Sequence, residues 1–599
     1  MSYRNYVEQS DKVVERSQWP LVILAGILFL ILSLRLFSLQ VLQFTHFSRR
    51  SDAIRIKREV IEAPRGFIFD RNGEILAQNQ MSYSITVDPL ERDKFDRSIP
   101  FLATIVPELP KLLNTRQDSL VQTVMDLTKD TRNPKKLLRD VDFRLLSLVA
   151  EHNIDLPGVG GMFDQRRQYP YGSLAAHVIG YTGELDRTEY ERLNDRGYEL
   201  GHSIGKQGVE KTCEDILKGR NGKRYIERNY LTRELGTVRE IEPVPPEKGG
   251  DVTLTLDIRL EAVAAEAFGD SILGALVALN PRNGEVLIMH SEPSYDPNKF
   301  IHVMSREGYD EIVNNPENPL FNRAVQATYP PGSTFKMLTA IAGMEEGIDP
   351  NRTFNPCYGS YYFGRTYKCW KEGGHGSLNM VEAIEQSCNV YFYQLGQRLP
   401  LDAWHRYGDM LGLGRLTGVD VAEEKPGTLP DSQYYKSHKV AYSPGMMLNL
   451  AIGQGEDLAT VMQLAHYVGI IATEGLNATP HVVMTDASEP VRLREISPSS
   501  FRVAKEGMHR VVHGTNGTAR TARIGACEIA GKTGTAQNPH GSDHKLFVVF
   551  APYENPRIVV ACVAENVGDY PVSLAVVIGK RVLDEYFRYY PETTVAVNE

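Results

Sequence analysis

The sequence predicts an α+β protein: one N-terminal membrane helix, a middle region, and a C-terminal domain of antiparallel sheet with a helical cluster. Three observations carry that prediction. An apolar segment runs from Leu21 to Phe44. A stretch rich in proline, glycine and charge, Pro243–Asp251, divides the remainder of the chain. Beyond it come strands, then a long helical stretch, then adjacent hairpin strands, the order of an antiparallel sheet with segregated helices.

The chain has 599 residues, which suits two or three domains rather than one. Its 42% hydrophobic and 24% charged residues are those of an ordinary folded protein. A net charge of −9 argues against general nucleic-acid binding.

Within the apolar segment, Leu21 to Leu34 carries no charge; Arg35 interrupts it, and apolar character resumes to Phe44. The whole is long enough for a bilayer core of roughly 30 Å. The competing reading is a cleaved signal peptide, but no small-x-small cleavage site comes after it, so an uncleaved anchor is expected. Arg4, Lys12 and Arg16 precede the span, while Arg49, Arg50, Arg55, Lys57 and Arg58 lie beyond it. This balance leans against an exported body, although large domains translocate largely regardless of such charges. The expected division is a tail (1–20), an anchor (21–44), a middle region (45–245) and a C-terminal domain (250–599).

In the middle region, Phe67-Ile-Phe69 and Ile75-Leu76 flank an Arg71-Asn-Gly73 turn, a hairpin signature. Leu137–Val149 has helical spacing. His177, beside Val-Ile-Gly, is expected to be a packed, hydrogen-bonded histidine. Gly205-Lys-Gln-Gly-Val-Glu210 is expected to open a helix without a preceding strand, which argues against a phosphate loop.

In the C-terminal domain, Val252–Leu256 alternates as a strand and Ile258–Phe268 reads as a helix. Gly274–Met289 reads as two strands around Pro-Arg-Asn-Gly. Residues 330–475 are helix-rich. Glu528–Gln537, Leu546–Ala551 and Arg557–Ala564 read as strands, and Ala575–Tyr589 as a closing helix.

Chemistry concentrates in three short motifs. Tyr329-Pro-Pro-Gly-Ser-Thr-Phe-Lys336 reads as a stiff turn delivering Ser333 to the start of an apolar helix, with Lys336 on the same face. A desolvated lysine there can take the serine's proton. The pattern S-x-x-K also occurs at Ser203/Lys206 and Ser542/Lys545, where a helix cap and a solvated lysine are the plainer reading. Ser387-Cys388-Asn389 lies at a helix junction, placing a hydroxyl for proton relay beside an amide for a substrate carbonyl. A second S-x-N, Ser377-Leu-Asn379, is expected to be a helix N-cap at Ser377. Lys532-Thr533-Gly534-Thr535 lies on a predicted strand. Its glycine marks a close backbone approach, and its lysine and threonines suit a carboxylate.

The order S-x-x-K, S-x-N, K-T-G is the set associated with penicillin-recognising serine enzymes. On it, and on APRGFIFDRNGEILA (63–77), IGKQGVE (204–210), GALVALNPRNGEVL (274–287), AIGQGE (451–456) and GKTGTAQ (531–537), the chain resembles a class B penicillin-binding protein of the elongation type, penicillin-binding protein 2. The resemblance implies that residues 45–245 form an elongated non-catalytic pedestal and that the C-terminal domain is a serine-type D-Ala-D-Ala transpeptidase. Ser333 would attack the peptidoglycan stem peptide, Lys336 take its proton, and Ser387 with Lys532 pass it to the leaving D-alanine. The N–H groups of Ser333 and Thr535 would form the oxyanion hole, Thr533 and Thr535 hold the carboxylate beside Gly534, and Asn389 fix the peptide bond. It further implies covalent binding of β-lactams, an extracytoplasmic body on the inner membrane, and elongation-complex partners including a polytopic membrane glycosyltransferase. Competing functions are a division-type transpeptidase, a β-lactamase, which needs no anchor or pedestal, and a β-lactam sensor, for which the short N-terminal tail leaves no signalling domain.

Cys357, Cys369, His375 and Cys388 fall in one stretch, C-x11-C-x5-H-x12-C. Three thiolates and an imidazole suit a closed structural zinc site, and elongation-type relatives resemble this chain in carrying a metal-ligand cluster there. The alternative is a Cys357–Cys369 disulfide, in which His375 has no role. Cys213, Cys527 and Cys562 are expected to be buried apolar residues.

Overall fold

The computed structural model describes residues 4–45, 56–113, 115–129, 134–193, 198, 202–228, 234–238, 241–301, 306–484, 489–538, 541–568 and 570–591. The chain forms two compact units. The smaller joins residues 1–63 to 220–247. It holds the helix Arg4–Phe37, continued as a π-helical turn Ser38–Leu42, and an antiparallel three-stranded sheet of Ile56–Ile61, Gly222–Arg228 and Glu234–Thr237. Residues Trp19–Leu42, 24 in number, are long and apolar enough to cross a membrane, and none of their most apolar window is buried. This is what a single-pass anchor looks like outside its bilayer.

The larger unit joins residues 64–219 to 248–599. The pedestal hairpin pairs Ile68–Phe69 with Ile75–Val87. Its turn is closed by Asp70 Oδ1, which accepts from the N–H groups of Asn72 (2.7 Å) and Glu74 (2.9 Å). Gly73 supplies the φ of +89° the turn requires. The long strand Ile75–Val87 also pairs with Lys135–Val141 and Val159–Gln168.

Three local expectations are corrected here. The helical spacing of Leu137–Val149 spans a strand, Lys135–Val141, and a helix, Phe143–Glu151; Asp142 ends the one and caps the other through the Leu145 N–H. A strand, Ser203–Gly205, does precede the Gly-Val-Glu helix at 208–212. The site there is filled by protein: the fully buried Glu210 carboxylate takes Arg65 Nε at 2.6 Å and Arg167 Nε at 2.7 Å. The helix Met380–Glu385 is capped by Asn379, not Ser377, because Asn379 and Glu382 exchange side-chain and backbone bonds as a capping box. His177 is the packed histidine expected, with Nε2 at 2.7 Å from the Pro319 carbonyl.

The C-terminal domain is built on a five-stranded antiparallel sheet. Its order is Val286–Glu292, Gly274–Leu279, Ile558–Ala564, His544–Ala551, Ala530–Ala536. Side chains alternate across it, as the two-residue period requires. Val559, Ala561 and Val563 join one core with the helix Val461–Ala472; Val560 and Cys562 join the other with the helices Ile258–Phe268 and Leu574–Tyr589. Both faces are covered, so Ile558–Ala564 is buried throughout and reads as a continuous apolar run. The edge strand Ala530–Ala536 faces the helical cluster, and the site lies there. Of the three outlying cysteines, Cys213 and Cys562 are buried, but Cys527 is only half-buried because it precedes the sheet in a loop.

Candidate active site

Pro331 leads into a 3-10 turn, Gly332–Phe335, which runs directly into the α-helix Lys336–Glu345. Gly332 sits at φ +55°, and a Cβ there would lie 2.5 Å from the Thr535 carbonyl oxygen. Only glycine lets the turn approach the edge strand this closely. Ser333 is half-buried on the turn, while Lys336 is completely buried.

Lys336 Nζ donates to the Ser387 carbonyl (2.8 Å), Ser387 Oγ (3.2 Å) and Asn389 Oδ1 (2.7 Å). Lys532 Nζ reaches the same Ser387 Oγ at 2.9 Å and the Thr533 carbonyl at 3.0 Å. Residues from three distant segments, 333–336, 387–389 and 532–535, are therefore joined by one hydroxyl. Burial pulls the Lys336 amine down to about 8. Burial and the nearby Lys336 charge push Lys532 well below its usual range. Two buried ammonium groups sharing one hydroxyl disfavour each other's charge, so a neutral amine is accessible here.

Ser387 has φ +53°, the left-handed region that a residue with a side chain rarely adopts. Such a conformation costs about 1–3 kcal/mol and gathers at active sites. It is held by Lys336 on one side and on the other by Trp370 Nε1, which donates to the Gln386 and Ser387 carbonyls at 3.1 Å each.

The strand Ala530–Ala536 carries Thr533 and Thr535, two apart and on one face, both half-buried. Gly534 between them would put a Cβ 3.1 Å from Pro331 O and from Thr334 Cγ2, so the strand closes against the Ser333 turn. Three residues given no role from the sequence support these threonines. Thr518 Oγ1 lies 3.1 Å from Thr533 Oγ1, Gln454 Nε2 donates to the Thr535 carbonyl at 3.1 Å, and Lys545 Nζ reaches Thr535 Oγ1 at 3.4 Å. Lys545 pairs directly with Thr535 across the hairpin, which strand register could have revealed; nothing in the sequence marks Thr518. Of the other S-x-x-K pairs, Ser203 lies on an exposed strand end, and Lys206 is ion-paired with Glu189 at 2.5 Å.

Cys357, Cys369, His375 and Cys388 converge, with one ligand atom from each within 4.8 Å of the others. His375 Nδ1 is 3.7 Å from Cys357 Sγ and 3.6 Å from Cys369 Sγ. A tetrahedral ion with bonds of about 2.0–2.3 Å spaces its donors about 3.6 Å apart, so the donor set fits zinc. Hydrogen bonds from Cys388 and His375 push the Cys369 thiol down, and the bond with Cys369 pushes Cys388 up.

Residues 274–584 match the family described as the penicillin binding protein transpeptidase domain, and residues 60–254 the penicillin-binding protein dimerisation domain. The chain belongs to the penicillin-binding protein transpeptidase family. It is 34% identical to peptidoglycan D,D-transpeptidase MrdA of Escherichia coli K12, over 95% of this chain and 94% of that one. Among solved structures it is similar to Helicobacter pylori penicillin-binding protein PBP2 in complex with MreC. The TM-score there is 0.79 and the identity 28%, over 90% of this chain and 99% of that chain. It is also similar to Pseudomonas aeruginosa PBP2 in complex with WCK 5153, with a TM-score of 0.68 and 30% identity over 89% and 97%.

Proposed function

We propose that this penicillin-binding protein is the elongation-type peptidoglycan D,D-transpeptidase of its cell. It would be held by a single span in the inner membrane, with its catalytic domain outside the cytoplasm. Full-length similarity to the MrdA relatives supports the elongation type over the division type, the sensor and the hydrolase. The observation that carries the chemistry is the buried meeting of Lys336 and Lys532 at Ser387 Oγ.

The cycle is built from those groups. Ser333 Oγ attacks the penultimate D-alanine carbonyl of a stem peptide. Its proton passes to the neutral amine of Lys336, which gives up one of its bonds to the 387–389 segment to receive it. Lys336 lies at the start of the helix, one turn from Ser333, so the N–H groups there favour the developing oxyanion. The Ser333 and Thr535 N–H groups take that oxygen. Lys336 returns the proton through Ser387 Oγ, which Lys532 orients, to the departing D-alanine amine. The C–N bond breaks and an ester to Ser333 remains. An amine of a second stem then attacks this ester, giving its proton back along the same path to Ser333 and forming the cross-link. A β-lactam enters the first step, but its leaving nitrogen stays tethered. Thr533 and Thr535 hold the terminal carboxylate, and Asn389 the peptide amide.

Zinc held by Cys357, Cys369, His375 and Cys388 would tie the 357–388 segment into one body and fix the backbone on both sides of Cys388. The PBP2–MreC complex and a solved peptidoglycan synthase complex are the basis for expecting elongation-complex partners here too, a polytopic glycosyltransferase among them. Intact mass after incubation with benzylpenicillin tests the acyl-enzyme chemistry on which the reading rests. One adduct per chain is expected; an unmodified chain would refute it.

A further inference from the structure

Between Cys357 and His375 the chain makes an antiparallel hairpin, Ser360–Phe363 with Arg365–Lys368. One face of it is committed. Tyr361 and Tyr367 face each other across the hairpin; Tyr361 OH donates to Gln397 Oε1 at 2.7 Å and Tyr367 OH to the Gly445 carbonyl at 3.2 Å. The opposite face carries Tyr362, paired with Thr366, and Ser360, paired with Lys368. Tyr362 is 74% exposed, Tyr358 77% and Trp370 57%. Exposed large aromatics gathered in one short stretch and rimmed by polar residues mark ligand or partner surfaces.

The hairpin adjoins the catalytic groups. The Lys368 carbonyl accepts Asn389 Nδ2 at 3.4 Å, and the Trp370 indole N–H meets the Ser387 carbonyl. Tyr358 precedes the hairpin, and its neighbour Gly359 is tied to the far end of it by the Cys369 N–H, which donates to the Gly359 carbonyl at 2.8 Å. Residues 365–372 hold three exposed cations, Arg365, Lys368 and Lys371, against one carboxylate, Glu372, in a chain whose net charge is −9.

We propose that this hairpin face is the subsite for the saccharide end of the stem-peptide substrate. Tyr358 and Tyr362 would stack on the apolar C–H faces of the sugars, and Lys368 and Lys371 would take the stem's side-chain carboxylates. The inference rests on the peptidoglycan reading of the active site and names the part of the substrate beyond the reacting D-alanines. Its occupant is argued from continuity with the SxN segment and from charge: stem peptides are anionic, and the strip beside Asn389 is cationic.

The test uses the full-length chain in detergent with Ser333→Ala, so that no acyl transfer occurs. Its probes are a disaccharide-pentapeptide and the same pentapeptide without sugars, monitored by tryptophan fluorescence. The disaccharide form should bind ~5-fold more tightly, a difference of about 1 kcal/mol. Tyr358→Ser/Tyr362→Ser should remove that preference, and Lys371→Gln should weaken both probes ~3-fold. In the Ser333 background the same substitutions should leave benzylpenicillin acylation within about twofold, since that ligand has no saccharide. Equal binding of the two probes, a preference that survives the tyrosine substitutions, or a parallel fall in acylation would each overturn the subsite. Failure of benzylpenicillin to acylate the parent chain would instead overturn the transpeptidase reading, so the two failures are distinguishable.

Discussion

Gly453 lies backbone to backbone against Gly332: the Gly332 N–H donates to the Gly453 carbonyl at 2.8 Å, and a Cβ on Gly453 would fall 2.2 Å from the Gly332 oxygen. Gly453 also sits at φ +70°, so a side chain there is opposed both by its own backbone and by its neighbour. The turn that carries Ser333 is thus pressed between Gly453 on one side and Thr535 on the other. Gly453→Ala should displace that turn and slow β-lactam acylation at least ~10-fold, with a smaller effect on melting temperature. Stopped-flow acylation beside calorimetry reads both; an unchanged acylation rate would mean that the contact does not set the position of Ser333.

Ser333→Ala should abolish covalent labelling by benzylpenicillin, while Ser203→Ala and Ser542→Ala should retain it. Lys206 is tied to Glu189, and Lys545 reaches toward Thr535, so neither lysine is placed as the base of a nucleophile. Intact mass spectrometry decides it, and an adduct on the Ser333→Ala chain would sink the assignment.

Thr535→Val keeps the shape of the strand and removes a hydroxyl that Lys545 approaches at 3.4 Å. A charge-assisted hydrogen bond of about 1.5–3 kcal/mol to the ligand carboxylate is lost, so acylation should slow roughly tenfold or more. The second-order acylation rate is the readout. An unaltered rate would place the carboxylate elsewhere.

His290 is buried between two carboxylates, with Nδ1 3.1 Å from Glu261 and Nε2 3.3 Å from Glu292. Burial pulls its pKa down, but the hydrogen bonds and charges of Glu261 and Glu292 outweigh it and raise the imidazole to about 9. A raised folded-state pKa stabilises the protein fully below the unfolded value near 6.5, and that stability is lost as pH climbs through about 9. The melting temperature should therefore fall between pH 7 and pH 9.5 by roughly a few degrees. Glu292→Gln removes one partner and should move the fall to lower pH. A melting temperature flat across this window in both proteins would contradict the ion triad.

Chelator-free protein should contain about one zinc per chain. His375→Ala should lower both zinc content and acylation rate, because the backbone flanking Cys388 carries Ser387 and Asn389. Elemental analysis and acylation kinetics check the two halves separately. Metal-free protein with a mapped Cys357–Cys369 bridge would refute zinc.

Much of this molecule is legible in sequence order. The continuous apolar run of Ile558–Ala564, the Asn-Gly turns and the apolar helix after Lys336 are short-range signals, and they give the α+β class. The motif residues are legible only as a set, because the order S-x-x-K, S-x-N, K-T-G resembles that of penicillin-recognising serine enzymes. Local signals failed where neighbours in space decided. Asn379 displaced Ser377 as the cap because Glu382 could reciprocate, and the helical spacing at Leu137 was overridden by pairing with Ile75–Val87. What the sequence could not decide is that Lys336 and Lys532, 196 positions apart, meet at one hydroxyl, or that Trp370 braces a serine held at φ +53°. Those relationships depend on which buried groups share a solvent-free volume. Burial, through desolvation and charge proximity, lowers the pKa of two otherwise ordinary lysines, and only the tertiary structure creates that environment.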